Sequence, residues 1–450
     1  MTPFKLTDQL IEQIETLIET DNGAELHALL ADVHFADVAE IIHELNVDEA
    51  TYLIKLLDSE KTSEVLTELD EDIREQILGK LSAKEIAEEL LELDTDDAAD
   101  IISELPKERV SEIISQIEDK EHAADIVELL RYEEGTAGSL MAKELVQVNE
   151  NWNVLTCVKE MRQQAEHVTR VHSIYVVDDE GKLKGRLSLK DLLTTSTRTA
   201  IKEVYIPKVD FARVTDYAED VARIMSKYDL EAIPVVDEMD RLVGRITIDD
   251  IVDVIKEEAD KDYQLAAGIS QDVEADDSIL DLTRARLPWL VLGLLGGLGS
   301  VFIMEGFDAA LAKYKELFFF TPLIAAMAGN VGVQSSAIIV QGLANDTVKG
   351  SLFDRLIKEI SLSLISGLTL GILVIIFGKI IGLDLLFSFT IAISMLCVII
   401  IAALIGTFVP IILDKKGIDP AIATGPFITT SNDIFGIFLF FFIAKLILGF

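Results

Sequence analysis

The stretch Gly417–Phe450, GIDPAIATGPFITTSNDIFGIFLFFFIAKLILGF, decides how the whole chain is read. It is long and apolar enough to cross a bilayer, which takes about 20 helical residues. Near its middle, after Thr429, Thr430, Ser431 and Asn432, stands a single carboxylate, Asp433. A charge at that depth costs about 3 kcal/mol even on lenient insertion scales, so it is expected to face a partner or a water-filled path. Neighbouring hydroxyls and amides could hold it in a purely structural role. No Lys or Arg of the segment lies at similar depth to neutralise it, and a hydrated cation is the better partner.

The charge is as uneven as the hydropathy. The chain has 450 residues and a formal net charge of -39. Residues 287–450 hold ten acidic and nine basic side chains, which leaves 68 and 30 in residues 1–286. An acidic half of that size argues against nucleic acid and against anchoring on anionic lipid, and it favours cations. Solvation of helix faces explains most of these charges. Cys157 and Cys397 stand far apart, so neither a disulfide framework nor a cysteine zinc site is expected. No charged n-region followed by an apolar run opens the chain, so the first 280 residues or so are expected to stay in the cytosol. Six scattered histidines and no nucleophile–base grouping leave nothing to support an enzyme.

Two internal repeats organise the acidic half. Leu45, Leu57, Leu69, Leu81, Leu93, Leu105, Ile117 and Leu129 recur every twelve residues, each with an aliphatic three positions earlier, from Ile42 to Ile126. A pair spaced by three marks one helix face, and twelve residues allow two turns and a corner. Asp48, Asp72 and Asp96 are placed to cap such helices. The units cannot bury their faces alone, so an α-superhelical array is expected over residues 1–134.

After the break at Glu133–Gly138 the period becomes 59. The run from Ile174 to Leu193 matches that from Ile233 to Val252, and each reads as strand, turn, strand and a helix entered at Asp191 or Asp250. Helices over Val154–Gln164 and Asp216–Lys227 precede the first strand of each copy. This α/β duplication, residues 135–256, resembles a tandem pair of CBS domains. The resemblance implies a regulatory sensor, often of adenine nucleotides.

An acidic connecting helix follows, residues 257–283, approached by Asp249, Asp250, Asp253, Glu257 and Glu258. Several share one helical face, where like charges repel unless a hard divalent ion bridges them. A solvated face is the plainer reading of the same spacing. Residues 284–450 then hold five apolar segments, 287–311, 317–344, 356–382, 386–413 and 420–448. Arg284, Arg286, Lys349, Arg355, Lys358, Lys415 and Lys416 on one side outweigh Lys313, Lys315, Lys379 and Lys445 on the other. That bias puts the N-terminus inside and, after five crossings, the C-terminus outside. Gly293, Gly296, Gly297 and Gly299 read as close helix packing, since no Lys-Ser/Thr follows to make a phosphate loop. Gly329, Asn330, Gly332 and Gln334 in the second segment are small or amide groups that must bond across helices or face water.

The order of acidic helical array, CBS pair, acidic connecting helix and five spans resembles the MgtE family of magnesium channels and transporters. The membrane motifs that carry the resemblance are Pro322 with Gly329-Asn-Val-Gly-Val-Gln334, and Asp419-Pro-Ala, Gly425-Pro-Phe and Thr430-Ser-Asn-Asp433. The resemblance implies a homodimer with an ion path among ten helices, importing Mg2+ through a site at Asp433. Gly329, Asn330, Gly332, Thr429 and Gly436 would line or flank that path. It also implies closure by cytosolic Mg2+, with Asp250, Asp253, Glu258 and Asp262 on the connecting helix and Asp419 on the pore side. Glu219 and Asp229 in the second CBS copy, and Glu64, Asp96 and Asp100 in the array, are further metal partners; Lys261 interrupts the acidic run. ATP at the CBS pair is a further implied ligand. Two other readings remain: a divalent-cation exporter or proton-coupled antiporter, and a membrane-bound nucleotide sensor that transports nothing.

Overall fold

The structure, a computed structural model, describes residues 4–449 apart from 167, 169, 272, 276, 346, 349 and 424. Lys349, one of the charges used to orient the spans, lies outside the described residues. The chain divides into two compact units, Met1–Lys256 and Glu257–Phe450.

The first unit opens with short helices: α1 (Asp8–Glu19), α2 (Gly23–Leu30), α3 (Phe35–His43), α4 (Val47–Leu56), α5 (Ser59–Glu68), α6 (Glu71–Leu78), α7 (Ala83–Leu90), α8 (Thr95–Ser103), α9 (Lys107–Gln116) and α10 (Lys120–Leu129). Their N-cap residues His34, Asn46, Asp58, Asp70, Ser82, Asp94 and Pro106 fall twelve apart, the period of the sequence repeat. Asp48, Asp72 and Asp96 are therefore not the caps. Each helix begins two residues earlier than expected, and these carboxylates sit in the first turn, where they still favour the positive end of the helix dipole. Asn46 and Ser82 close full capping boxes with Glu49 and Glu85. Packing mostly joins helices two apart, α3 on α5, α5 on α7 and α7 on α9, with α4 on α6 and α8 on α10. The seam between them is the repeated aliphatic pair: Ile42, Leu66, Leu78, Leu90, Ile102 and Ile126 are all buried.

The rest of the unit realises the 59-residue repeat. Strand β1 (Val146–Asn149) runs parallel to β2 (Ile174–Val177), and β2 pairs antiparallel with β3 (Leu183–Leu187), which carries the short β4 (Ile206–Pro207). The second copy repeats this with β5 (Ala212–Arg213), β6 (Ala232–Val236) and β7 (Leu242–Thr247). Register pairs Ile174 with Leu187 and Ile233 with Ile246, and both hairpins slip at the same place, Val176/Val177 and Val235/Val236. The repeated motif has a local cause. Asp178 accepts the N–H groups of Glu180 and Lys182, and Asp237 accepts those of Met239 and Arg241, so each carboxylate builds its hairpin turn. The later glycine of each repeat is set by close approach: a Cβ on Gly185 would collide with the Ile206 carbonyl, and one on Gly244 would meet the Ala142 carbonyl at 2.8 Å. Helices α11 (Val154–Gln164), α12 (Leu189–Thr194) and α13 (Ala218–Tyr228) cover the sheets.

Helix α14 (Ile248–Ala267) follows β7 without a break at residue 257, so the end of the CBS copy and the connecting segment share one helix. At 1.5 Å per residue its 20 residues make it about 30 Å long.

Among the described residues of the second unit, five helices are long and apolar enough to span a membrane: α15 (Ile279–Glu305), α17 (Glu316–Ala344), α18 (Leu352–Ile380), α19 (Leu385–Asp414) and α20 (Gly425–Leu448), with the short α16 (Asp308–Lys313) between the first two. The first begins and ends earlier than the hydropathy predicts. Its polar opening, Ile279–Arg286, is already helical behind the Ser278 cap, and Gly306 ends it. Helix α19 is the hub, packed on α17, α18 and α20, while α15 lies along α20. Phe440 and Phe441 of α20 are buried with Ile391, Met395 and Val398 of α19. Of the four glycines in α15, Gly296 and Gly299 face α20, at Thr430 and Ile434; Gly293 and Gly297 have nothing within 4 Å and do not serve the expected packing in this chain.

Candidate ion-binding sites

Helix α20 turns Asp433 into a cavity of about 410 Å³ against α17, lined by Ala325, Ala326, Gly329, Asn330, Val333, Gln334, Thr429 and Asp433. None of the lining residues is basic. Their spacing of three and four on α17, and of four between Thr429 and Asp433, makes each wall one helix face. Gly329 keeps the wall close to α20: a Cβ there would stand 3.2 Å from the Thr429 methyl and 3.9 Å from Asp433 Oδ1. Thr429 turns its hydroxyl back to the Gly425 carbonyl at 2.9 Å, which leaves the methyl toward the cavity side. Asn330 and Gln334 are exposed on the open side.

Four of the expected path residues, Gly329, Asn330, Thr429 and Asp433, thus come together. Gly332 and Gly436 do not line the cavity and are corrected to packing positions. A Cβ on Gly332 would collide with the Asn432 amide, and one on Gly436 would press on Ala328 at 3.1 Å and Val398 at 3.3 Å. Both glycines are buried where helices touch.

In the first unit, Asp94, Asp96 and Glu144 bring carboxylate oxygens within 4.8 Å of one another. Asp96 is 7 % exposed. Glu144 is held by the N–H and hydroxyl of Thr95, at 3.2 and 2.9 Å, and Asp94 by the Arg245 guanidinium at 3.0 Å. Burial first, then the charges of Asp250, Asp97, Asp94 and Glu144, pushes the Asp96 carboxyl well above the usual carboxylate range. Asp97 is pushed up to about 7, again by burial and then by Asp250 and Asp94. Burial also raises Asp250, against hydrogen bonds to its carboxylate from the Thr247 N–H (3.0 Å) and hydroxyl (2.6 Å). Such a set of carboxylates, Asp96 buried and the others half-buried, is short of positive charge, and hard oxygen donors suit Mg2+ or Ca2+. Asp96 and Asp250 were legible in the sequence; Asp94, Asp97 and Glu144 were not singled out, although the run Asp94-Thr-Asp-Asp97 was a visible signal.

The other expected metal partners are scattered. Asp100 is exposed on α8 and Glu64 is half-buried on α5, outside the carboxylate group. Glu219 is taken by Arg223 at 2.8 Å, and Asp229 is the left-handed C-cap of α13, with φ 52°. Asp253 is exposed on α14. Glu258 pairs with Lys261 at 3.0 Å, and Glu258, then Asp419 and Asp262, help hold the Lys261 ammonium above its usual range. Asp419 Oδ1 accepts the Ala421 N–H at 2.8 Å, fixing the turn Pro420–Ala423 before α20. At its other end α14 reaches that helix: a Cβ on Gly425 would meet the Ala266 carbonyl, and Gly268 abuts the Pro426 ring.

A second cavity, about 350 Å³, lies in the first CBS copy among Val171, His172, Ser173, Ile174, Arg186, Leu187, Ser188, Leu189 and Ile206. Burial, then Arg245 and Arg170, lowers the His172 pKa.

A helical array, a CBS pair and five candidate spans, with a half-buried carboxylate in a cavity between two of them, define a multi-pass membrane protein. Family models match in that order: an MgtE intracellular N domain over residues 33–135, CBS domains over 137–197 and 201–257, and a divalent cation transporter over 321–443. The magnesium transporter MgtE of Enterococcus faecalis is 37 % identical over 327 residues, 72 % of this chain and 72 % of that protein. The magnesium transporter MgtE of Thermus thermophilus is 36 % identical over 335 residues, 73 % and 74 % of the two chains. The chain belongs to the MgtE family. The solved cytosolic domain of the Mg2+ channel MgtE in complex with ATP is 34 % identical, with a TM-score of 0.50, and covers 54 % of this chain and 99 % of that one.

Proposed function

We propose that the protein imports Mg2+ across the cell membrane through a path that includes the Asp433 cavity, and that cytosolic Mg2+ closes it. The observation that carries this reading is the placement of Asp433, Asn330 and Gln334 around one cavity in an otherwise apolar helix pair. Mg2+ keeps an octahedral oxygen shell and gives up water reluctantly. One carboxylate and a ring of carbonyl and amide oxygens can hold the hydrated ion without stripping it. The amides of Asn330 and Gln334 are exposed on the open side, which lipid disfavours. A second copy of this chain closing the cavity, with ten spans in all, is the assembly that removes this penalty. In this reading the acidic body is cytosolic and the C-terminus lies outside.

For closure, the residues that would hold regulatory Mg2+ are Asp94, Asp96 and Glu144 with Asp250 beside them, and Glu258, Asp262 and Asp419 around the end of α14. Divalent charge there offsets the mutual repulsion of these carboxylates, and its loss lets them part. Helix α14 carries the change, since Asp250 lies in its first turn and Ala266 abuts the start of α20. ATP is proposed for the CBS cavity, with Arg186 toward its phosphates, in keeping with the ATP-bound relative.

The test is Mg2+ flux into proteoliposomes at set Mg2+ on the side of the acidic domains. Flux that falls as that Mg2+ rises to millimolar levels supports gating. Flux that needs a pH gradient, or runs only outward, would favour an antiporter or exporter instead. Absence of flux would favour the sensor.

A further inference from the structure

Glu359 is an ionisable residue in α18 that the path described above does not use. It stands two turns into that apolar helix, half-buried, where a carboxylate needs a reason to persist. Its Oε1 accepts the hydroxyl of Ser335, from α17, at 2.5 Å. A hydroxyl bond to a charged oxygen is of the short, strong kind. Ser335 itself is 5 % exposed and directly follows Val333 and Gln334, which line the Asp433 cavity. The next residue, Ser336, is fully buried and donates to the Ala423 carbonyl at 2.7 Å, in the turn that leads into α20. Two successive hydroxyls of α17 therefore tie it in two directions. One holds it to α18, the other to the base of the helix that carries Thr429 and Asp433. Helix α18 otherwise lies chiefly along α19, so the Glu359–Ser335 bond registers the cavity wall against the outer helices.

We infer that Glu359 is a positioning residue for the ion path: by holding Ser335 it fixes where Gln334 and Asn330 stand opposite Asp433. The inference concerns wall position and rests on the transport reading only for its flux arm. Glutamine at 359 keeps an acceptor of the same shape, whereas leucine removes it.

Full-length protein in liposomes is compared as wild type, Glu359→Gln, Glu359→Leu, Ser335→Ala and the Ser335→Ala/Glu359→Leu double variant. Mg2+ flux is read alongside the labelling rate of Gln334→Cys by a water-soluble thiol reagent in each background. Glu359→Leu and Ser335→Ala are each expected to lower flux roughly tenfold, the size of a lost charged hydrogen bond. Both should shift labelling at position 334, with the double no worse than the poorer single and Glu359→Gln within about twofold of wild type. Ser335→Ala deletes one oxygen, so it remains informative if the leucine variant fails to fold. Wild-type flux and labelling in Glu359→Leu or Ser335→Ala, or effects that multiply in the double variant, would overturn the inference. If the wild type carries no flux, the transport reading fails by itself. Labelling then decides alone: a shift in Ser335→Ala upholds the positioning role, and no shift removes it.

Discussion

Asp96→Asn isolates the electrostatics of the buried acidic group. In the wild type the three carboxylate oxygens lie within 4.8 Å of one another. At an effective dielectric of about 20, two unit charges at that separation repel by about 3.5 kcal/mol, so Asp96 faces about 7 kcal/mol from Asp94 and Glu144 when all three are ionised. The Arg245 contact to Asp94 offsets part of this. Without metal, the group relieves the rest by holding a proton or by opening; with Mg2+ it does neither. At a Mg2+ concentration of about 100 times Kd, binding stabilises the closed form by about 2.7 kcal/mol, or roughly 100-fold in an opening equilibrium. Hydrogen–deuterium exchange of α8 and the first turn of α14, in the full chain, reads that equilibrium. Wild type should exchange there roughly 100-fold more slowly in saturating Mg2+ than in chelator. Asp96→Asn keeps the shape and removes the charge, so it should be better protected than wild type in chelator and gain less than about threefold from Mg2+. Equal exchange of the wild type with and without Mg2+, or a variant that responds like the wild type, would refute the reasoning.

Three further outcomes follow from the same structure. The Asp97 carboxyl titrates at about 7 in the folded chain against an ordinary 3.8. Between those values the folded form binds more protons than the unfolded, so the metal-free first unit should lose stability as pH rises from about 4 to about 7 and level off above. Mg2+ competes with that proton, so its affinity should fall as pH drops below about 7; a titration showing tighter binding at pH 5.5 than at pH 8 would contradict this. Ile102 is fully buried in the seam of the array, and Ile102→Ala should destabilise that unit by about 2–5 kcal/mol, read by chemical denaturation. A Cβ on Gly296 would collide with the Thr430 methyl, so Gly296→Val should cost about 1–3 kcal/mol or more in detergent melting, while Gly297→Val, which meets nothing, should not.

Repeats were the most legible part of the fold. The twelve-residue period gave the array because the units turn the same aliphatic pair, buried or partly buried, into one seam, and the 59-residue period gave both hairpins down to their shared slip. The caps were misplaced by two residues because Asp favours both the cap and the first turn, and spacing alone does not separate these positions. Asp433 stood out because a lone carboxylate in an apolar helix has few explanations. Gly332 stands beside Asn330 in α17 and Gly436 one turn from Asp433 in α20, but each is closed off by a neighbouring helix, Gly332 by Asn432 and Ile428 and Gly436 by Ala328 and Val398, and only packing decides that. Glu144 joins Asp94 and Asp96 from some 49 residues away through Thr95, and no local pattern reports such a contact. Glu359 was hidden among the charges at the start of α18, where Asp354, Arg355 and Lys358 make a carboxylate look ordinary. Glu219 and Glu258 also pair with Arg223 and Lys261, at 2.8 and 3.0 Å, contacts that their spacing in the sequence does not report.

The central claim is that Asp433 holds the ion on its way through the membrane. Mg2+ uptake into proteoliposomes, wild type against Asp433→Ala at matched protein density, tests it most directly. The account predicts that the variant, folded as judged by gel filtration, loses uptake at least about tenfold, the equivalent of 1.4 kcal/mol at one step. Uptake equal to wild type would make Asp433 a structural residue and place the ion path elsewhere.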